Sequence, residues 1–71
     1  MEAQIMAQQI IKLSEVRNTT GLSGSSIYRM AAAGTFPKPI KLGERSSGWI
    51  GSEVEQWIED RIASSRNVEG L

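Results

Sequence analysis

Ser14-Glu15-Val16-Arg17-Asn18-Thr19-Thr20-Gly21-Leu22-Ser23-Gly24-Ser25-Ser26-Ile27-Tyr28-Arg29-Met30-Ala31-Ala32-Ala33-Gly34 decides the fold of this 71-residue chain. The stretch reads as two short helices joined by a tight turn. A Ser ahead of a helical run accepts a hydrogen bond from an unpaired first-turn N–H, which makes Ser14 the expected cap of a helix over 14–20. Gly21 ends that helix, because Gly takes the left-handed conformation there without steric cost. Ser23 opens a second helix over 23–33, and Leu22 and Ile27 hold the spacing of a hydrophobic staple around it. Ile27, Met30 and Ala31 follow the i, i+3, i+4 rule, so one face is buried. Gly34 closes the helix. Two helices about a short glycine-bearing turn make a helix-turn-helix.

A single small domain is all that this length holds, and such a domain buries only about 60% of its unfolded surface. There is no Cys and no His. Disulfides and thiolate–metal sites are thereby excluded, and the commonest general base and metal ligand are missing. The expectation is therefore a non-enzyme with no cofactor and no metal, in a reducing cytoplasm. No apolar run approaches the roughly 20 residues of a membrane span, so no membrane partner is expected. The opening MEAQIMAQQIIK lacks a basic start and an A-x-A site and does not read as a signal peptide.

The formal net charge is zero, but the distribution of charge decides what a surface attracts. From Lys12 to Arg45, six cations (Lys12, Arg17, Arg29, Lys38, Lys41, Arg45) face only Glu15 and Glu44, a surplus of four. From Glu53 onward five acidic residues face Arg61 and Arg66, a deficit of three. A basic middle and an acidic end favour an anionic partner at the middle.

Residues 1–9 read as a frayed tail. Ile10-Ile11-Lys12-Leu13 suits a strand or an extended segment packed on the core. Thr35-Phe36-Pro37-Lys38-Pro39 cannot be helical, because each Pro removes an N–H and restrains the residue before it; Phe36 is the expected core anchor. Pro39-Ile40-Lys41-Leu42 alternates as a half-buried strand does. The polar, glycine-bounded loop 43–48 and then Trp49-Ile50 complete a β-hairpin over 39–50. Ser52-Glu53-Val54-Glu55 is a capping-box sequence. Val54, Trp57, Ile58 and Ile62 form one stripe of a helix running to about 64. The expected organisation is a tail over 1–9, a domain over 10–64 and a tail over 65–71. The fold class is mainly α with a small β-hairpin, a compact winged helix-turn-helix.

The second helix has another stripe, Ser25, Tyr28, Arg29 and Ala32, offering small residues, a phenol and a guanidinium. Arg bonds bidentately to guanine O6 and N7, while Ser and Tyr hydroxyls commonly bond phosphate. The N–H groups of Gly24 and Ser25, just past Ser23, suit a phosphate. An ordinary solvent face is the competing account of this stripe, and Tyr28 equally suits the edge of the core with a wet hydroxyl. In the loop, Arg45, Ser46 and Ser47 read either as a wing on a DNA strand or as a plain hairpin tip. It is not a phosphate-binding P-loop, since Trp49 stands where that motif needs Lys. Lys38 and Lys41 add phosphate neutralisation. Trp49 and Trp57 are in phase with buried stripes. Glu53, Glu55, Glu59 and Asp60 have no neighbouring base and read as a solvated face.

Thr20-Gly21-Leu22-Ser23-x-Ser25-x-Ile27-Tyr28-Arg29, Gly34-x-Phe36-Pro37-Lys38-Pro39-Ile40-Lys41-Leu42-Gly43, Gly48-Trp49 and Ser52-Glu53-Val54-x-x-Trp57-Ile58 together resemble the AlpA-type prophage regulators, over about residues 11–63. That family is related to excisionases and to the DNA-binding domains of MerR-type regulators. The resemblance implies a winged helix-turn-helix that binds double-stranded DNA near phage or genomic-island integrase genes and regulates transcription or excision. The family often has Arg or another polar residue where this chain has Gly24, so one potential contact is missing here.

The expected DNA-facing set is thus Ser23, Gly24, Ser25, Ser26, Tyr28, Arg29, Lys38, Lys41, Arg45, Ser46 and Ser47, with Ser25, Ser26 and Arg29 nearest the bases. Further copies of the chain on repeated sites are an expected partner, because one small module has limited contact area. The alternative is a protein-interaction adaptor that meets a regulator or an integrase through the acidic last helix.

Overall fold

Gly21 and Gly34 are the points where the chain breaks out of helix. The computed structural model describes residues 9–69; residues 1–8 of the expected N-terminal tail lie outside the described residues. Six elements follow one another: β1 (Ile10–Ile11), α1 (Leu13–Thr20), α2 (Gly24–Ala33), β2 (Ile40–Lys41), β3 (Ser47–Ile50) and α3 (Gly51–Glu69). The strands form one antiparallel sheet in the order β1-β3-β2. Three helices with this small sheet make a compact winged helix-turn-helix, as the sequence predicts.

The turn between α1 and α2 is held by local bonds. Gly21 has φ +78° and its N–H bonds to the Arg17 carbonyl at 2.8 Å. Thr20 Oγ1 donates to the Val16 carbonyl at 2.7 Å and accepts from the Leu22 N–H at 3.2 Å. Ser23 then caps α2, accepting from the Ser26 N–H at 3.2 Å. At the other end Gly34 has φ +86°, and its N–H and that of Thr35 return to the Ala31 and Met30 carbonyls. This paired pattern satisfies the last helical acceptors.

Two expected caps are displaced. The helix predicted from Ser14 begins at Leu13, with Lys12 at the cap and no side-chain bond there. Leu13 packs on the core, so the helix starts where burial demands it. Likewise α3 starts at Gly51, which puts Ser52 in the first turn rather than at the cap. The Gly51 N–H bonds to the Gln9 carbonyl at 2.6 Å, so the sheet itself anchors that end of the helix. At its far end α3 continues to Glu69, beyond the predicted end near 64.

The core consists of Val16, Ile27, Phe36, Trp49 and Val54, with Ile11, Leu13, Leu22, Met30, Trp57 and Ile58 packed against it. Every element but β2 contributes, and full burial of an aliphatic or aromatic side chain of this kind stabilises by about 1.5–3 kcal/mol. The strand predicted to be half-buried at 39–42 is a correction. Ile40, Lys41 and Leu42 are all exposed, Ile40 at 36% and Leu42 at 47%. The cause is the register: Ile40 pairs with Gly48, which faces away from the core, while the neighbouring Trp49 faces inward.

Gly48 permits the close approach of three strands. A Cβ there would lie 2.5 Å from Ile10 Cγ2 and 3.2 Å from both the Ile11 carbonyl and Leu42 Cδ1. Gly48→Ala is therefore expected to lower unfolding free energy by about 1–3 kcal/mol. A Cβ on Gly43 would make only an ordinary contact with Ser46 Cβ at 3.9 Å, and its φ is not positive, so Gly43→Ala is expected to be neutral or to stabilise by up to about 1 kcal/mol. Urea unfolding of both variants checks the contrast.

Candidate nucleic-acid interface

Helix α2 buries Ile27 and Ala31, and a helix that buries one stripe must show the other. Ser25, Tyr28, Arg29 and Ala32 are all exposed. Arg29 lies between the buried Ile27 and Ala31 in sequence and is itself exposed. Tyr28 lies at the edge of the core, as one of its two readings has it. Its ring lies 5.7 Å from that of Trp49 at a tilt of 57°, while the residue is 47% exposed. Tilted aromatic pairs of this kind contribute about 0.5–1.5 kcal/mol. This stacking also joins the outer stripe of α2 to β3, whose Ser47 end leads into the hairpin tip.

The start of α2 is a cluster of hydroxyls. Ser23 Oγ serves the cap and donates to Ser26 Oγ at 3.1 Å, with Ser25 Oγ at 3.4 Å. Ser23 and Ser26 are thus engaged with each other, and Ser26 is half-buried. Ser25 is exposed and carries only the long contact, so it is the hydroxyl most available to a ligand. Gly24 is half-buried and turned toward α1: a Cβ on it would meet Leu13 Cδ2 at 3.5 Å and Arg17 Cδ at 4.0 Å. What Gly24 offers outward is its amide, one of the first-turn donors that no helical carbonyl reaches.

The same approach brings in a residue that the sequence reading counted only as charge. Arg17, on α1, is exposed beside the first turn of α2. No helical wheel could reveal this, because the neighbour belongs to another helix. The small residue at position 24 is the only signal.

At the hairpin the Ser46 carbonyl accepts from the N–H groups of Leu42 and Gly43, at 2.8 and 3.2 Å, leaving 43–45 as the tip. Lys41 Nζ donates to the Glu44 carbonyl at 3.2 Å, so this ammonium helps close the tip. Arg45 and Lys38 are exposed, and Ser46 and Ser47 are half-buried. Lys38 lies between Pro37, whose carbonyl accepts from Trp49 Nε1 at 3.0 Å, and Pro39. All six cations from Lys12 to Arg45 are exposed.

Five of the acidic residues lie on α3. Glu53, Glu55, Glu59 and Asp60 are exposed, and Asp60 accepts from Gln56 Nε2 at 3.0 Å. Arg61 stacks 5.1 Å above the Trp57 ring.

Residues 9–62 match the family described as the prophage CP4-57 regulatory protein, AlpA. The chain is 36% identical over 62 residues to an uncharacterised protein, ORF88, of enterobacteria phage P4, covering 87% of this chain and 70% of the relative. It is 34% identical over 61 residues to the DNA-binding transcriptional activator AlpA of Escherichia coli K12, covering 78% of this chain and 87% of the relative.

The two roles on α2 separate by stability. Ser23→Ala removes a helix cap and is expected to cost about 1 kcal/mol. Arg29→Ala, at an exposed site, is expected to stay within about 0.5 kcal/mol of the parent. Thermal and urea unfolding measure both.

Proposed function

This chain belongs to the AlpA family of prophage regulatory proteins, and on that premise we propose that it is a small sequence-specific DNA-binding regulator. The observation that carries the reading is the exposed, non-acidic stripe of Ser25, Tyr28, Arg29 and Ala32 on the helix that follows the Gly21 turn. Helix α2 enters the major groove, with Ser25 and Arg29 at the base edges and Ser26 behind them. Ser23, the Gly24 amide and Tyr28 meet phosphate or sugar. Arg45 with Ser46 and Ser47 lies along the backbone or in the minor groove, and Lys38 and Lys41 neutralise phosphates. The name of the Escherichia coli relative, a DNA-binding transcriptional activator, supports the same partner.

In this reading the protein works in the cytoplasm, at prophage or genomic-island DNA near an integrase gene, on transcription or excision. It does so without catalysis or cofactor. A single small module covers about 600–1,000 Å², so copies on repeated sites supply the remaining affinity.

About four phosphate contacts give a log–log salt slope near −3.6 on random duplex. Fluorescence anisotropy across a salt series measures it, and a flat response overturns the phosphate roles. Arg29→Ala is expected to weaken a selected site by about 1–3 kcal/mol while leaving random duplex nearly unchanged. Equal loss on both makes Arg29 a phosphate contact.

The exposed acidic residues of α3 favour one second reading, an adaptor that docks a regulator or integrase there. Replacing Glu55 and Glu59 by Lys separates the two. A DNA binder keeps or gains affinity for duplex, whereas an adaptor loses its protein partner.

A further inference from the structure

We propose that Arg17 of α1 is a further DNA-contacting residue, one that grips a backbone phosphate beside the first turn of α2. The assignment rests on the nucleic-acid reading above and adds to it a residue that helical spacing within α2 cannot supply.

Residues four apart on a helix are neighbours on one face. Leu13 and Arg17 are such a pair, and both reach the first turn of α2. A Cβ on Gly24 would lie 3.5 Å from Leu13 Cδ2 and 4.0 Å from Arg17 Cδ. Leu13 is half-buried and packs on the core, whereas Arg17 is exposed. The aliphatic stem of Arg17 therefore lies along Gly24, and its guanidinium emerges on the solvent side of the contact between the two helices. Long cationic side chains use the stem in this way to cover a neighbour while the charged head stays in water. The backbone of Arg17 is held as well, since its carbonyl accepts from the Gly21 N–H at 2.8 Å. One residue thus closes the turn and presents a charge beside the helix that follows it.

The positions three and four away from Arg17 are Leu13, Ser14, Thr20 and Gly21, and α2 holds no acidic residue at all. Glu15, two residues away, does not face it, because i and i+2 point apart on a helix. No carboxylate of either helix is placed to pair with the guanidinium, whose planar fork of donors matches two oxygens of a phosphate. Phosphate is the acceptor because of where α1 sits. In a helix-turn-helix the second helix lies in the major groove and the first crosses the backbone. Phosphate contacts set register and orientation without reading sequence, so Arg17 holds the register at which Ser25 and Arg29 meet the bases.

A cation in the last turn of α1 also suits the negative end of that helix. That role alone would alter stability and leave DNA binding by the folded protein untouched. The full chain, Arg17→Ala and Arg66→Ala are therefore titrated by fluorescence anisotropy on a random-sequence duplex and on a selected site, across a salt series well below each melting temperature. Arg17→Ala is expected to weaken binding to both duplexes about tenfold at low salt and to flatten the log–log salt slope by about 0.9, the increment of one phosphate. Arg66→Ala, at an exposed position on α3, is expected to match the parent. An Arg17→Ala slope equal to the parent's overturns the proposal. So does a loss confined to the selected site, which makes Arg17 a base reader, and so does an equal flattening in Arg66→Ala, which assigns the effect to overall charge. A parent that binds neither duplex overturns the nucleic-acid reading itself, a failure distinct from that of Arg17 in a parent whose slope is steep.

Discussion

Two indole N–H groups hold the segment on which the rest of the molecule depends. Trp49 Nε1 donates to the Pro37 carbonyl at 3.0 Å, and Trp57 Nε1 donates to the Thr35 carbonyl at 2.8 Å. The stretch from Thr35 to Pro39 carries two prolines and belongs to no helix or strand, so its carbonyls have no regular ladder to join. The indole nitrogen is a donor only, which suits it to this task. One indole comes from β3 and the other from α3, and both close on the loop that leaves α2. Phe36 lies between Thr35 and Pro37 in sequence, 4% exposed and edge-on to Trp57 with ring centroids 4.8 Å apart. The loop is thereby fixed to the sheet and to the last helix at once, and the direction in which α2 leaves the core is fixed with it.

Most of this fold was legible where a single residue type meets a single backbone need. Gly21, Ser23 and Gly34 occupy the turn, cap and stop that their chemistry demands, and Ile27, Phe36, Trp49 and Val54 fill the core as expected, joined by Val16, which no sequence pattern had singled out. Local chemistry failed where a tertiary contact overrode it. Ser14 and Ser52 are good caps by composition, but Leu13 and Gly51 already belong to helices set by packing and by the Gln9 bond. The alternation at Ile40 and Leu42 correctly announced a strand and misled about its burial. Period two says that two faces can differ, and only the folded sheet shows that this edge strand exposes Ile40, Lys41 and Leu42 alike.

The candidate interface divides along the same line. The stripe of Ser25, Tyr28, Arg29 and Ala32 could be read from helical spacing, since exposure on one side follows from burial on the other. Three details could not be. Ser26 is drawn into the cap by Ser23, Lys41 spends a donor on the Glu44 carbonyl, and Arg17 arrives from a different helix beside Gly24. Each concerns a neighbour brought by folding. The charge layout, by contrast, was legible despite a net charge of zero: the basic middle spans α1, α2 and the hairpin, and five of the acidic residues lie on α3.

Helix α3 extends over 19 residues, about 28 Å at the usual rise. Ile58 is the last of its residues packed on the core, and residues 59–66 are all exposed. The anchorage of this helix is therefore graded along its length. Amide protons around Val54 and Trp57 exchange with solvent only when the domain opens, while those beyond Ile62 exchange through fraying of the last turns. The folded head is thereby largely independent of what happens at the outer end of α3.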